Sequence, residues 1–303
     1  MKLKEFEGYG TDFNLLVSWA SKLIMAGGEG VRKLLGGKKY MLIDEYQDFS
    51  QLFLSVVLAV RKLVLEIRLF VVGDDWQAIN RFAGSDVEYF KEFERYFSPA
   101  RRYEIGTNYR CDREIVGRAR TFMKKAMGEK GEFRAFSRRA GKVVLVDVRR
   151  SKMQYLEALV RLIKKGRKMK DIMILHRNNE TNLKISLVGL RTALRREVVK
   201  AGVITGEEFD AKVRVMTMHK SKGLEAEMVI VLEADEGVIP RMHPDTLLYR
   251  VFGETEEVAL ADQKRLFYVA MTRAKKRLYI MHDFNGGDEF MKALGRGVER
   301  WEE

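Results

Sequence analysis

The sequence predicts an α/β protein with parallel sheets, because short apolar strands alternate with helices along most of the chain. Residues 40–43 and 68–72 are apolar runs of strand length, and residues 50–65 between them are apolar at helical spacing. The same alternation resumes in the second half of the chain. Since 303 residues suffice for two domains of ordinary size, each with its own core, we expect two such domains.

The first region has the size of one parallel crossover unit, about 30 residues from strand to strand. Ser50 stands at the N-cap position of the helix, and Gly73 stops the second strand. The acidic block Asp44-Glu45-Tyr46-Gln47-Asp48 follows the first strand, and the turn 73–77 follows the second. Both segments therefore fall at the carboxyl edge of one sheet, which is where open α/β sheets bind ligands.

The second region begins after a predicted strand near Arg102–Ile105. Its further elements are a helix Arg113–Lys125, a strand Lys142–Val148, a basic helix Met153–Lys165 ended by Gly166, strands Ile172–Leu175, Val213–Met218 and Met228–Leu232, a helix Leu260–Ala274 and a strand Arg277–Met281. This order predicts a doubly wound parallel sheet.

Composition restricts the classes of function. The formal net charge is +13 with a pI near 9.6, which favours a polyanionic partner, most simply nucleic acid. A single cysteine, Cys111, excludes an internal disulfide, and the four histidines (His176, His219, His243, His282) lack the spacing of a zinc site. Without a transmembrane run or a signal peptide pattern, we expect a soluble cytoplasmic protein.

The acidic block has the chemistry of half a nucleotide site. After an apolar strand, Asp44 is placed to hold Mg²⁺ through water and Glu45 to polarise the water that attacks a γ-phosphate. The usual companion is a GxxxxGK[ST] loop, whose amides and lysine hold the phosphates. At both Gly-Lys steps the first glycine of that pattern is missing: Arg32 stands there before Lys38, and Phe136 before Lys142.

Five motifs in order resemble those of the UvrD/Rep/PcrA group of superfamily 1 DNA helicases. Residues 44–48 resemble motif II, 72–82 motif III, 107–110 motif IV with the following strand 174–177, 215–225 motif V and 264–274 motif VI. The resemblance implies two RecA-like parallel-sheet domains. The first, residues 1–105, is expected to be truncated at its N-terminus, and the second, residues 106–303, carries motifs IV to VI. Only about 35 residues separate Arg177 from Val213, so the accessory subdomain that full-length members insert there is expected to be missing or vestigial.

The resemblance also implies roles for particular residues. The catalytic residues are Glu45, Gln77, Arg110 and Arg273; Tyr109, Gly223 and Glu225 contact ATP; Arg81, Phe82, Thr217 and His219 contact single-stranded DNA; Asp44 and Glu45 hold Mg²⁺. Gln77 would sense the γ-phosphate, and the two arginines would act as fingers on the transferred phosphoryl group. The simpler interpretations are a turn amide for Gln77, surface charges for the arginines, packing for Tyr109 and a core histidine for His219.

Motifs III and VI depart from the family pattern. Asn80 and Ala83 stand where an aromatic residue and an arginine are expected, and residues 262–264 read Asp-Gln-Lys. Because the phosphate-binding segment is not found, two explanations stay open. Another polypeptide supplies the Walker A segment, or the chain is a remnant that lost its motor. The sequence therefore predicts an ATP-dependent helicase or translocase core, with a non-catalytic nucleic-acid-binding module as the alternative. A metal nuclease using Asp44, Glu45 and Asp48 is a third interpretation.

Overall fold

A computed structural model of the protein describes residues 12–128, 133–148, 152–242, 255–283 and 289–301. His243 lies outside these residues. The chain divides into two units, Met1–Arg102 and Tyr103–Glu303. In the described part of the chain, no helix is both long and apolar enough to cross a bilayer.

The first unit is built around a two-stranded parallel sheet. Its elements are α1 (Phe13–Ala26), α2 (Glu29–Leu35), β1 (Tyr40–Ile43), α3 (Gln51–Leu63), β2 (Arg68–Val71) and the short helices α4 (Glu88–Lys91) and α5 (Phe93–Tyr96). In the sheet, Tyr40 lies opposite Arg68 and Ile43 opposite Val71. The predicted crossover is confirmed, including the N-cap, because the Ser50 hydroxyl accepts a hydrogen bond from the Phe53 amide at 3.4 Å.

Alternation along the two strands divides the sheet into a packed face and an open face. Met41, Ile43, Leu69 and Val71 pack against a largely aromatic core that includes Tyr46, Phe49 and Phe97. Three large side chains on the other face, Tyr40, Leu42 and Phe70, remain between 58% and 74% exposed. Among the described residues, β1 and β2 pair only with each other.

The second unit contains a six-stranded, entirely parallel sheet, which confirms the predicted α/β class. Its elements are β3 (Thr107–Asn108), α6 (Arg113–Met127), β4 (Arg134–Ala135), β5 (Lys142–Asp147), α7 (Lys152–Gly166), β6 (Ile172–His176), α8 (Leu187–Lys200), α9 (Gly206–Lys212), β7 (Val213–Thr217), β8 (Ala226–Val231), α10 (Glu256–Thr272), β9 (Ala274–His282), α11 (Glu289–Ala293) and β10 (Glu299–Trp301). The strand order is β10-β5-β9-β8-β6-β7, and β3 pairs separately with β4.

Helices cover both faces of this sheet, so its strands are apolar on both sides. On one face, residues such as Val144, Ile174 and Ile230 pack against α7 and α8. On the other, α6 and α10 contact β8 and β9. The two faces together bury most residues of β5, β6, β8 and β9, while the middle of the edge strand β7 is half-buried.

The prediction of a strand near Arg102–Ile105 is wrong. Residues 101–106 form no strand, and Tyr103 and Ile105 are 77% and 79% exposed. Pairing begins only at Thr107, which lies opposite Arg134 in β4. An apolar pattern alone did not reveal this, because a strand also needs a partner for its backbone groups.

Candidate nucleotide and nucleic-acid sites

The acidic block lies directly after β1, as predicted. Asp44 and Glu45 are both exposed, and the Asp44 carboxylate accepts a hydrogen bond from the Glu45 amide at 2.8 Å. Glu45 has a φ of 51°, an uncommon conformation for a residue other than glycine. Two exposed carboxylates at a strand end fit Mg²⁺, which takes oxygen ligands and keeps several waters.

Gln47 is a site residue that the sequence interpretation missed. Its buried amide nitrogen donates to the Glu45 carboxylate at 2.5 Å, and its amide oxygen accepts from the Asp74 backbone amide at 2.9 Å. A Cβ atom on Gly73 would lie only 2.6 Å from that amide oxygen, so glycine is what allows the approach. Gln47 therefore connects the segment after β1 to the segment after β2.

Gln77 lies in a helical turn after β2 and joins the same network. Its side-chain amide donates to the Asp74 carboxylate at 2.9 Å, and that carboxylate also accepts from the Trp76 amide at 3.1 Å. The structure therefore brings Glu45 and Gln77 into one connected set of hydrogen bonds through Gln47 and Asp74. Sequence spacing placed both residues at one edge of the sheet but gave no sign of the residues between them.

Asn80, one of the departures from the family pattern, has a structural role here. Its amide donates to the Asp48 carboxylate at 2.7 Å and so ties the turn 81–83 to the acidic block. Arg81 in that turn is half-buried, whereas Phe82 is 78% exposed. Of the two DNA contacts predicted in this turn, Phe82 is the one whose side chain is largely open to solvent.

In the second unit, Tyr109 is part of an exposed aromatic pair. Its ring lies 4.8 Å from the ring of Phe136, and both side chains are more than 65% exposed. The pairing of β3 with β4 brings them together, since Asn108 lies opposite Ala135. Phe136 was not predicted, because the two residues come from segments distant in sequence.

Arg110 and Glu225 form an ion pair of 3.0 Å, and Lys275 also pairs with Glu225. The hydrogen bond from Lys275, followed by that from Arg110, lowers the pKa of the Glu225 carboxyl. Two predicted nucleotide residues thus meet at the amino ends of β8 and β9. Lys275 was not predicted as part of this group.

Arg273 lies at the end of α10 with its side chain 1% exposed. Its guanidinium donates to the carbonyl oxygens of Val269 and Leu224 at 3.0 and 3.2 Å. Contact with a phosphate would require this side chain to leave those carbonyls. Gly223, also predicted at the nucleotide, has a φ of +76°, in the left-handed region that favours glycine.

Thr217 and His219 lie at the carboxyl end of β7. Thr217 is buried, and its hydroxyl accepts from the Lys220 amide at 3.4 Å. Burial, with a smaller contribution from the charge of Arg177, lowers the pKa of His219 to about 4. His219 is therefore neutral at neutral pH and is suited to hydrogen bonding rather than to neutralising a phosphate.

Arg177, whose charge acts on His219, forms a hydrogen bond with Gln263 that the sequence did not indicate. The Arg177 guanidinium donates to the Gln263 amide oxygen at 3.2 Å. Asp262, next to Gln263, accepts from Arg265 at 2.7 Å. The unusual Asp-Gln-Lys sequence at 262–264 is thus used for contacts within the second unit.

The predicted residues of the second unit divide between opposite ends of its sheet. Arg110, Glu225 and Arg273 lie near the amino ends of β8 and β9, and Thr217 and His219 lie at the carboxyl end of β7. The segment 218–225 runs from one end to the other. Among the described residues, no three His, Cys, Asp or Glu side chains converge on a metal position, so the nuclease interpretation gains no support.

The parallel α/β architecture and the order of the motifs along it define a protein of the RecA-like helicase class. The family model described as the UvrD-like helicase C-terminal domain matches residues 103–209 and 189–283, and the UvrD/REP helicase N-terminal domain matches residues 4–98. The chain therefore belongs to the UvrD-like helicase family, as its motifs predicted.

Individual relatives are similar over most of this chain but are longer. It is 27% identical to DNA helicase IV of Escherichia coli over 93% of this chain and 39% of the relative. A probable DNA helicase of Mycoplasma pneumoniae is 26% identical over 89% of this chain and 48% of the relative. The chain thus spans less than half the length of these two relatives.

Proposed function

We propose that the chain is part of the motor core of a UvrD-type DNA helicase or translocase, which moves along single-stranded DNA as it hydrolyses ATP. The observation that carries this proposal is the network from Glu45 through Gln47 and Asp74 to Gln77. It links the residue proposed to activate water to the residue proposed to sense the γ-phosphate. Family membership and the net charge of +13 support the same activity and the same partner.

In this proposal each unit contributes separate chemistry to the ATPase. Asp44 and Glu45 would hold Mg²⁺ and the attacking water, and Gln77 would respond to the γ-phosphate. Tyr109 stacks on the adenine, and Glu225 contacts the ribose once its ion pairs open. Arg110 and Arg273 offset charge on the transferred phosphoryl group, and such a finger contributes about 10³–10⁵ in rate.

Binding of single-stranded DNA is assigned to Arg81, Phe82, Thr217 and His219. Phe82 is the exposed ring on which a base can stack, and such stacking contributes about 1–3 kcal/mol per base. Thr217 and His219 supply neutral hydrogen-bonding groups at the carboxyl end of β7.

We further propose that a Walker A segment on another polypeptide completes the ATPase. The open face of the β1–β2 sheet supports this, because Tyr40, Leu42 and Phe70 form an apolar surface of the kind that a packed layer covers. A partner strand would pair with the sheet edge, and its helix would cover these side chains.

The deciding experiment mixes this chain with a polypeptide carrying a GxxxxGK[ST] segment of the same family and measures ATP hydrolysis with and without single-stranded DNA. We expect little hydrolysis by this chain alone and DNA-stimulated hydrolysis by the mixture, lost in Glu45→Gln. Robust hydrolysis by the pure chain, also lost in Glu45→Gln, would show that no partner is needed.

The proposed docking face is tested by binding of the same partner to the double variant Leu42→Glu/Phe70→Glu. We expect the complex to be lost, because two carboxylates would have to be buried against the partner. Leu65→Glu is the control, since Leu65 is 84% exposed but lies outside the sheet. Equal loss of binding in the control would contradict the assignment of this face.

The alternative function is a nucleic-acid-binding module without a motor. The ion-paired Glu225 and the buried guanidinium of Arg273 favour it, because neither side chain is free for nucleotide as it stands. Single-strand binding that does not change on addition of ATP, in the presence of the partner, would support this alternative.

A further inference from the structure

We propose that a basic pocket on the second unit is an additional binding site for the phosphate backbone of single-stranded nucleic acid. The pocket has a volume of about 240 Å³ and lies at the amino ends of β10, β5 and β9, beside the end of α7. Its lining includes Lys142, Lys165, Arg277, Tyr279, Glu299 and Trp301. This proposal rests on the assignment of the chain to work on nucleic acid, but not on nucleotide hydrolysis.

The charge of the pocket favours an anion. Lys165 and Arg277 have no carboxylate partner among the described residues, whereas Lys142 is paired with Glu299 at 2.8 Å. The Arg277 guanidinium donates to the backbone carbonyl oxygen of Lys165 at 3.1 Å, which fixes the Arg277 side chain beside the end of α7. Two such cations are a suitable pair of ligands for a phosphate group.

An aromatic ring lies beside these charges. The Lys165 ammonium is 3.6 Å from the centre of the Trp301 ring, in a cation–π arrangement. Trp301 is half-buried on the edge strand β10, and it packs against the core while Lys165 lies over its ring. The cation–π contact fixes the Lys165 ammonium at the wall of the pocket, and a positively charged groove of this kind is how proteins follow the backbone of a single strand.

The basic character continues beyond the pocket along the chain. Residues 164–170 include five lysine or arginine side chains, and all five are exposed (Lys164, Lys165, Arg167, Lys168, Lys170). They give neighbouring phosphates a surface to follow from the end of α7.

The pocket is separate from the residues already assigned to DNA. Thr217 and His219 lie at the carboxyl end of the edge strand β7. The pocket lies at the amino ends of the strands near the other edge of the sheet, which is formed by β10. A strand held here would therefore contact the second unit at two places. We favour nucleic acid over an acidic peptide because the chain belongs to a family of DNA helicases and has a net charge of +13.

The test measures binding of a labelled oligodeoxythymidylate to the full chain as a function of salt concentration, without nucleotide. Lys165→Gln and Arg277→Gln should each weaken binding about fivefold at 0.1 M salt and reduce the slope of log K against log salt by about 0.7. Arg277→Lys, which keeps the charge, should retain most of the binding. Lys200→Gln is the matched control, because Lys200 is exposed at the end of α8, beside the opposite edge strand.

The outcomes separate the two proposals. If the wild-type chain fails to bind the oligonucleotide, the assignment to nucleic acid fails and this inference fails with it. If it binds but Lys165→Gln and Arg277→Gln match Lys200→Gln, only the pocket is overturned. Competition by poly-glutamate as strong as that by unlabelled oligonucleotide would also overturn it in favour of an acidic peptide. Unfolding curves of each variant exclude loss of structure as the cause.

Discussion

At the scale of single residues, Gln47 shows how a site depends on a buried side chain that holds other site residues in place. It is 1% exposed and holds both the Glu45 carboxylate and the Asp74 amide. Its position depends in turn on the missing side chain of Gly73. The acidic pair was visible in the sequence, whereas this support was not, because nothing in a five-residue motif tells which amide faces the core.

Replacing Gly73 by alanine should destabilise the first unit by about 1–3 kcal/mol, because the added Cβ would lie 2.6 Å from the Gln47 amide oxygen and 3.0 Å from its backbone nitrogen. Urea unfolding followed by tryptophan fluorescence measures the change. Gly30→Ala is the control: it lies in α2 with open space around it, so that variant should be neutral or more stable by up to about 1 kcal/mol. Equal stability of the two variants would contradict the role of Gly73.

His219 predicts a pH dependence of stability. Its pKa is about 4 in the folded chain and near 6.5 when unfolded, so the unfolded state takes up the proton first as the pH falls. Stability is therefore lost between about pH 6.5 and pH 4. In His219→Gln this loss should be smaller by on the order of 1 kcal/mol after allowance for solvent screening.

Urea unfolding of the wild-type chain and of His219→Gln at pH 7, 5.5 and 4.5 provides the measurement. The free energy of unfolding of the wild-type chain should fall more steeply than that of His219→Gln between pH 7 and pH 4.5. The histidine is mostly neutral in both states at pH 7, so its effect begins only below that pH. Parallel curves down to pH 4.5 would show that the histidine is not buried as described.

At the scale of elements, the sequence predicted the strands better than the helices that connect them. Strands β5, β6 and β8 are buried on both faces, and each contains a continuous apolar run. Helix α8 was missed although its buried residues Leu187, Leu190, Leu194 and Val198 follow the helical period. The strands β3 and β4 could not be predicted, since two residues carry no pattern.

Helix α9 begins with a reciprocal capping box, which gives a prediction for this element. The Thr205 hydroxyl accepts from the Glu208 amide at 3.1 Å, and the Glu208 carboxylate accepts from the Thr205 amide at 3.0 Å. Thr205→Ala should destabilise the second unit by about 1 kcal/mol. Circular dichroism during thermal unfolding measures the shift.

Thr192→Ala serves as the control for the capping box. Its hydroxyl bonds only to the carbonyl of Val188 one turn earlier in α8, a contact that does not stabilise a helix. A loss of stability in Thr192→Ala as large as that in Thr205→Ala would contradict the role of the cap.

At the scale of the whole molecule, the order of motifs predicted the family, and the strand pattern placed the acidic block and the turn 73–77 at one sheet edge. It did not predict the pairing of Tyr109 with Phe136 or of Lys275 with Glu225, since these contacts join segments distant in sequence. The sequence also did not predict that Arg273 is buried. Its neighbours in α10 resemble those of an exposed finger, and only the packing of the helix shows its carbonyl contacts.

The two units should differ in stability. A two-stranded sheet with one open face buries little apolar surface, whereas the six-stranded sheet is covered on both sides. In Trp301→Phe, the remaining tryptophans, Trp19 and Trp76, report on the first unit alone. Their fluorescence should change at a lower urea concentration than the far-ultraviolet circular dichroism, and coincident transitions would contradict this expectation.

The segment 218–225 has a mechanical consequence for the second unit. It starts beside Thr217 and ends at Glu225, and it is braced on the way by the Ser221 hydroxyl on the Met218 carbonyl at 2.6 Å and by Arg273 on Leu224. Because the segment is short and is held by these hydrogen bonds, its two ends cannot move independently over a large distance. If Glu225 contacts nucleotide as proposed, we expect its movement to change the position of His219 at the carboxyl end of β7, and movement of His219 to change that of Glu225.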